Sequence, residues 1–537
     1  MPERETTPER AFVLGLDGVP WDCLSAWMDD GHLENFARLR EEGVAGPLES
    51  TMPPTTALAW PTIATGVNPD KHGVYAFQRL AGNYSQRMST SDDVARPALW
   101  DRLSPSVVAN VPMTYPASDI DGEMVTGMMT PELNEKFTSP PELRETIAER
   151  IPDYDIGLSW TEYADRPEQF ERDLTALVEA RRELMELLLE RTDPRLFFFV
   201  FTGPDRLQHL LWDEATMLDH YRLLDDILGD LLDHVDERDG TLFVVSDHGF
   251  GPVSKNVAVN TVLEREGLLS RRRETGTRNV LSAAGLHKER VLSALETVGI
   301  DQQTLLKYLP RQFVDRVAEQ VPGTHVLYDV DYSDTQAFVH GPGCVYVNDT
   351  DRFEQGTVPP AEREAMKARV RQVFEGVTDP ETGECVLRVA DGDELFPTDD
   401  GSPDLVVRAI DGYQKVTSLK DDVIHETGVA NAGHRSEGVF LAWGPDIGAG
   451  GDVTDATVTD VAPTLLHSIG EPIPADTDGV VLDDIFAAES ATARRPVTAA
   501  GPDAESPDGA DGEATDTADE EDFDDVEERL RGLGYME

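Results

Sequence analysis

The sequence is short of basic residues. Its 537 residues hold 46 Lys+Arg against 103 Asp+Glu, a formal net charge of −57. That shortage excludes a general nucleic-acid binder, because affinity for a phosphate backbone comes from Lys and Arg. It also excludes adhesion to anionic membrane surfaces. Cysteine is scarcer still. Cys23, Cys344 and Cys385 are odd in number and widely spaced, so they form neither a disulfide framework nor a zinc-finger spacing. Long apolar runs are missing too. The longest, Leu196–Phe201, suits a buried strand and is far too short to span a bilayer. The opening text MPERETTPER is charged and has no apolar stretch, so no signal peptide is expected and the location is read as cytoplasmic.

What is present is enough for a core. The apolar fraction of 39% excludes wholesale disorder. The length allows about two to four domains, or one large α/β core with an insertion. The charge has two sources. Residues 501–537 hold 15 acids and 2 bases, a net of −13, which leaves −44 on the rest of the chain. Only 8 of the basic residues are lysines; 38 are arginines. Self-repulsion on this scale opposes a compact state. In molar salt the Debye length falls to about 3 Å and the repulsion is screened. The composition is that of a protein adapted to a salt-rich cytoplasm, as in an extreme halophile.

The pattern along the chain alternates strands and helices. Ala11–Leu16 is a short apolar strand running into Asp17-Gly18, followed by amphipathic text over 21–42. Residues 107–111 and 124–128 read as strands, 166–191 as a helix with Leu174, Leu177, Val178, Leu184, Leu187 and Leu188 at helical spacing. Leu196–Phe201 is a buried strand, 205–234 a helix, 242–245 a strand. This order predicts an α/β core, a mostly parallel sheet between helices. The core is expected over 10–264 and 401–488, with an inserted cap over 265–400 in which 331–400 mixes short strands with a helix near 360–375. An acidic disordered tail is expected over 489–525, and a short terminal helix over 526–537.

Chemistry-bearing residues follow the strands. In open α/β sheets ligands bind at the carboxyl ends of strands, so separated residues can converge there. Asp17 follows the first strand; alone it would be a turn residue or a cap. Thr55 and Thr56 stand at a helix start, where backbone N–H groups favour an anion, and a hydroxyl there can attack phosphorus when a metal lowers its pKa. Asp205 and His209, four apart, share one helical face as a metal pair needs. Asp247 and His248 leave a strand together, with Gly249 allowing a sharp bend. His434 precedes the strand text VFLAW.

Each signal is weak alone, but the ordered set resembles the alkaline phosphatase superfamily, most of all its type I phosphodiesterase/nucleotide pyrophosphatase branch and the prokaryotic proteins described as phosphohydrolases or phosphomutases. The texts PPTTALAWPTIATGVNPDKHG and SDHGFGPV carry most of the likeness, which spans about 11–486. The resemblance implies a metal-dependent hydrolase of a small-molecule phosphate mono- or diester, using two divalent metal ions, zinc or else manganese. One metal would take Asp17, Asp247, His248 and the Thr56 oxygen; the other Asp205, His209 and His434. Thr56 matches the family nucleophile, nine residues before Thr65 of Thr65-Gly66, with Thr55 as the fallback; a phospho-threonine would form and be hydrolysed. Transfer to a second hydroxyl instead would make a phosphomutase. The Asn that follows the nucleophile in the pyrophosphatases is replaced by Ala57, and the sulfatase pattern is absent. The donor chemistry suits zinc or manganese independently. Among the other residues, His72 reads as packing, His425 as the one rival ligand, Trp60 and Phe250 as core, and the arginines at 271–273 as a solvated linker. Oligomeric state and substrate identity are left open.

Overall fold

Every residue of the strand Leu196–Phe201 is buried, and so is every residue of Ala11–Leu16 beside it. The two run parallel in register from Ala11–Leu196 to Leu16–Phe201. Side chains alternate between faces with the two-residue period of a strand. Phe12, Leu14, Leu16, Phe197, Phe199 and Phe201 enter one apolar cluster; Ala11, Val13, Leu196, Phe198 and Val200 enter a second on the opposite face. Helices Pro167–Arg191 and Glu214–Glu237 cover the first cluster. Thr56–Thr65 and Val461–Ser468 cover the second. Coverage on both faces is why the strands read as unbroken apolar text.

This computed structural model describes residues 9–158, 163, 166–272, 329–428, 431–501 and 523–532. The architecture is the expected α/β one. The large sheet is ten-stranded, in the order Gly451–Asp452, Val44–Glu49, Glu437–Trp443, Thr241–Val245, Ala11–Leu16, Leu196–Phe201, Ser106–Ala109, Gly122–Val125 and Thr138–Ser139, with Ala456–Thr457 also on Val44–Glu49. Its centre is parallel; Glu437–Trp443 runs antiparallel to both neighbours.

A second body of structure packs around a third apolar cluster. Its sheet has the order Ala337–His340, Cys344–Val347, Leu405–Ala409, Leu387–Asp391, backed by the helix Arg363–Glu375. One ten-residue strand, Gly249–Ala258, ties the two bodies together. Its first half pairs with Ala432–Arg435 beside the large sheet. Its second half pairs with Gly412–Val416 and Ile424–Glu426.

Several local expectations are corrected. The helix expected over 205–234 is two, Gly203–Leu210 and Glu214–Glu237, because Asp213 caps a new start by accepting from the Thr216 N–H at 3.0 Å. The text over 21–42 also makes two helices, Trp21–Asp29 and Glu34–Glu42, separated at Gly31 with φ +74°. Leu405–Ala409, expected to return the chain to the core, lies in the small sheet; re-entry to the large one comes only with Glu437–Trp443. The tail expected to be disordered from 489 starts too early. Ala491–Arg494 is a helix whose Ser490 side chain accepts from the Ala493 N–H, Thr492 is buried, and Ala499–Ala500 pairs with Ile473–Pro474. Residues 502–522 of that tail, 273–328 of the expected cap, and 533–537 lie outside the described residues. Near the C-terminus the helix Asp524–Gly532 buries Val526 and Leu530 in the first cluster.

Candidate active site

The exits of three adjacent parallel strands converge. Asp17 follows Ala11–Leu16, and its backbone N–H bonds the Phe201 carbonyl at 3.0 Å. Gly18 has φ +74°, and a Cβ there would stand 3.0 Å from the Asp205 Cβ. Only glycine lets the first strand turn this close to the neighbouring exit. Gly18 N–H donates to Asp247 Oδ1 at 3.1 Å, and Val19 N–H to Ser246 Oγ at 2.9 Å, which ties the third exit to the first.

All seven residues expected from the sequence meet here. Thr56 opens the helix Thr56–Thr65 and is fully buried. Its Oγ1 lies 3.4 Å from Asp17 Oδ1 and 3.2 Å from His248 Nε2. His248 Nε2 is 3.7 Å from Asp17 and 3.3 Å from Asp247. On the other side, Asp205 Oδ1 lies 3.3 Å from His209 Nε2 and 3.3 Å from His434 Nε2. The two imidazole nitrogens are 3.1 Å apart. Two sets of potential ligand atoms fall within 4.8 Å of one another, Asp17 with Asp247 and His248, and Asp205 with His248 and His434. His248 is thus shared, standing between the two expected groups.

Outer contacts aim the imidazoles. His434 sits on Ala432–Arg435, directly opposite Phe250, and its Nδ1 faces the Pro54 carbonyl at 3.2 Å. His248 Nδ1 faces the Gly249 carbonyl at 3.1 Å. A carbonyl can only accept, so each Nδ1 carries the proton and each Nε2 presents its lone pair to the cluster. Burial pushes His434 down to about 3 and lowers His248 as well, so both rings are neutral near pH 7.

The carboxylates are under strain of charge. Burial, then Asp247 and Asp205, raise Asp17 well above the carboxylate range. Burial and Asp205 push Asp247 up to about 8. Burial acts on Asp205 too, but His209 beside it holds it well below the ordinary value. No lysine or arginine pairs with these three acids among the described residues. Asp205 Oδ1 and Asp247 Oδ2 are buried without a hydrogen-bond donor. Buried acids with unsatisfied oxygens, facing imidazole lone pairs, are a donor set that fits divalent cations.

Other expectations find their places. Thr55 is extended, at φ −161°, and its hydroxyl makes no hydrogen bond to the cluster among the described residues. His425 lies on Ile424–Glu426 opposite Asn256, not in the cluster. His72 is buried, with its Nε2 3.1 Å from Thr62 Oγ1. Arg271 pairs with Glu264 at 2.9 Å, Arg272 lines the cleft, and Arg273 lies outside the described residues. The sequence reading missed Trp60, whose indole Nε1 donates to Asp17 Oδ2 at 3.1 Å. Its place four residues after Thr56, on the same helical face, was the available signal. It also missed Ser50, whose Oγ donates to the Asp247 carbonyl at 2.6 Å.

The cluster opens into a cleft of about 650 Å³ between the large sheet and the second body, with Pro54, Thr55, His209 and His434 at its base. Among the described residues no helix is long and apolar enough to cross a membrane.

Comparisons with known proteins agree with this layout. A family model of type I phosphodiesterase/nucleotide pyrophosphatase matches residues 11–438. Among solved structures, the chain is similar to murine ectonucleotide pyrophosphatase/phosphodiesterase 5, at 14% identity and a TM-score of 0.51, covering 89% of this chain and 100% of that one. An inactive threonine-to-alanine form of that mouse protein, in complex with AMP, is similar to the same degree, with a TM-score of 0.51. No curated protein matches the sequence.

Proposed function

The chain belongs to the type I phosphodiesterase/nucleotide pyrophosphatase family, phosphate-ester hydrolases of the alkaline phosphatase superfamily that depend on divalent metals, and from this premise we propose that it cleaves a small phosphate mono- or diester with Thr56 as nucleophile at a two-metal centre. The observation that carries the reading is the position of Thr56 Oγ1, buried at a helix start and within 3.4 Å of both Asp17 and His248. Asp17, Asp247 and His248 would hold one cation beside it, and Asp205, His209 and His434 the other. When bound, the two cations supply the charge that acidifies a hydroxyl and offsets the negative charge of the transferring group.

The chain's own residues do the rest. The Thr56 hydroxyl, once ionised, attacks phosphorus as the ester oxygen leaves, and the phosphoryl group rests on Oγ1. The positive end of the helix Thr56–Thr65 favours an anion there. Water from the open cleft then takes the phosphoryl group and restores Thr56. Trp60 holds Asp17 in place from the same helix. The Nδ1 contacts of His248 and His434 keep both rings in one tautomer. The inactive threonine-to-alanine form of the mouse protein supports a threonine in this role.

One alternative keeps a specific observation in its favour. The second body walls the cleft, and a wall that limits water favours transfer to another hydroxyl of the substrate, a mutase outcome. Purified protein in molar KCl with Zn²⁺ or Mn²⁺ should release p-nitrophenol from p-nitrophenyl phosphate or its diester, and Thr56→Ala should abolish the release. Full activity in Thr56→Ala would remove the nucleophile assignment. A sugar phosphate converted to an isomer with little free phosphate would favour the mutase. The charge excess and three unpaired thiols support action in a salt-rich, reducing cytoplasm.

A further inference from the structure

The far wall of the cleft carries the opposite charge from the chain as a whole. Arg272, Arg408, Lys415 and Arg435 line it, against Asp411 and Glu527. Arg435 is paired with Asp411 at 3.1 Å. Lys415 is different. Of the described lysines, Lys136 and Lys420 are exposed. Lys71 is held by Asp478, Lys255 by Asp379 at 2.8 Å and Lys367 by Asp391 at 3.0 Å. Lys415 is half-buried and has neither a carboxylate partner nor a hydrogen bond among the described residues; its titratable neighbours are the neutral Cys344 thiol and Arg435. Burial, with Arg435 adding to it, pushes its pKa down to about 8.

An ammonium withdrawn from water without a counter-charge costs free energy. The chain has 103 acids, and none of those among the described residues pairs with this lysine. The side chain is nevertheless seated with care. Gly343 has φ +111°, and a Cβ there would come within 2.5 Å of Lys415 Cε. The positive φ and the Val407 carbonyl, 2.4 Å from such a Cβ, require glycine here, and Lys415 lies beside it. Lys415 stands opposite Val257 on Gly249–Ala258, the strand that also holds Phe250 opposite His434. One strand therefore carries both ends of the cleft wall, no more than roughly 23 Å apart along its backbone.

We propose that Lys415 forms an anion subsite, with Arg408 and Arg435 at its sides, and that it selects phosphate esters bearing a second anionic group remote from the ester that is cleaved. This rests on the reading that the ester sits at Thr56. A lysine is a compact point charge and accepts either a phosphate or a carboxylate, so both are tested.

The test is calorimetric titration of the metal-loaded protein with alkylphosphonates against alkane-α,ω-bisphosphonates and phosphonocarboxylates of graded spacer length. The wild type should bind the best doubly charged ligand at least about tenfold tighter than its singly charged match, the effect of one hydrogen bond to a charged group. Lys415→Gln should abolish that advantage and Lys415→Arg should keep most of it, with unchanged circular dichroism in both. Preference for the second phosphonate or for the carboxylate names the group. Equal binding of single and double anions by the wild type, or an advantage that survives Lys415→Gln, overturns the subsite. Turnover of p-nitrophenyl phosphate is followed separately: its absence, with the binding preference intact, removes the phosphohydrolase reading and leaves the subsite standing.

Discussion

The two walls of the cleft are built on opposite terms. On the large-sheet side, Asp17, Asp205 and Asp247 are fully buried with no lysine or arginine partner among the described residues. On the small-sheet side, Lys415 is half-buried with no acidic one. In the second body, by contrast, buried charges are paired: Asp404 meets Arg352 and Arg363, and Lys367 meets Asp391. A buried charge left alone is expensive, and those that line the cleft stand where a ligand could complete them. The acids ask for cations and the lysine asks for an anion. The net charge of −57 says nothing of either; it is spread over the surface, where salt screens it.

The largest effect that would break this comparison is on the acidic wall. Thr56→Ala should lower kcat by on the order of 10⁴ or more, the scale seen when a nucleophile is removed from a unit of acting residues. Activity within about tenfold of wild type would end the case for this wall as the reacting one. Next comes metal binding. Asp247→Asn should bind at least one cation fewer by elemental analysis, and its effect on stability should change sign with loading. Without metal, removing an acid whose ionisation burial and Asp205 disfavour should stabilise the fold near pH 7 by about 1–3 kcal/mol. With metal, the variant should be the less stable, because ligands that bind only the native state stabilise it. The same sign in both states would contradict a site built for cations.

Trp60→Phe tests how far the support extends. The ring stays while the hydrogen bond to Asp17 goes. Loss of such an outer contact costs about 10–100-fold in metal affinity or activity, so a metal titration should show a weaker site in a folded protein. A separate comparison, of stability and not of activity, concerns the two apolar cores. Phe198→Ala in the large sheet and Phe374→Ala in the second body, both fully buried, should each cost about 3–5 kcal/mol. In denaturant melts, a shared single transition would show that the bodies unfold together; two transitions would show that the strand Gly249–Ala258 links separable units.

Much of the large-sheet wall was legible from the residues alone. The strands read as apolar runs because both faces are covered, and Asp17, Asp205 and Asp247 stand where those runs stop. The i, i+4 pair Asp205 and His209 was legible even though the helix ends at Leu210, sooner than expected. The other wall was not. The apolar run Leu405–Val407 shows a strand but not which sheet takes it, and pairing with Cys344–Val347 and Leu387–Asp391 decides that across tens of residues. Lys415 carries no local signal at all. Its meaning comes from what is missing around it, which only the packed structure shows. Trp60 was read as core and lies in it; that its N–H also meets a site carboxylate shows only in the packed structure.

The central claim is that Thr56 accepts the phosphoryl group. Active enzyme should be acid-quenched during turnover of p-nitrophenyl phosphate, digested and mapped by mass spectrometry. The account predicts a phosphoryl increment on Thr56, lost on longer incubation and absent from Thr56→Ala. An increment on Thr55 or another residue, or turnover with no phosphorylated enzyme at any time, would contradict it.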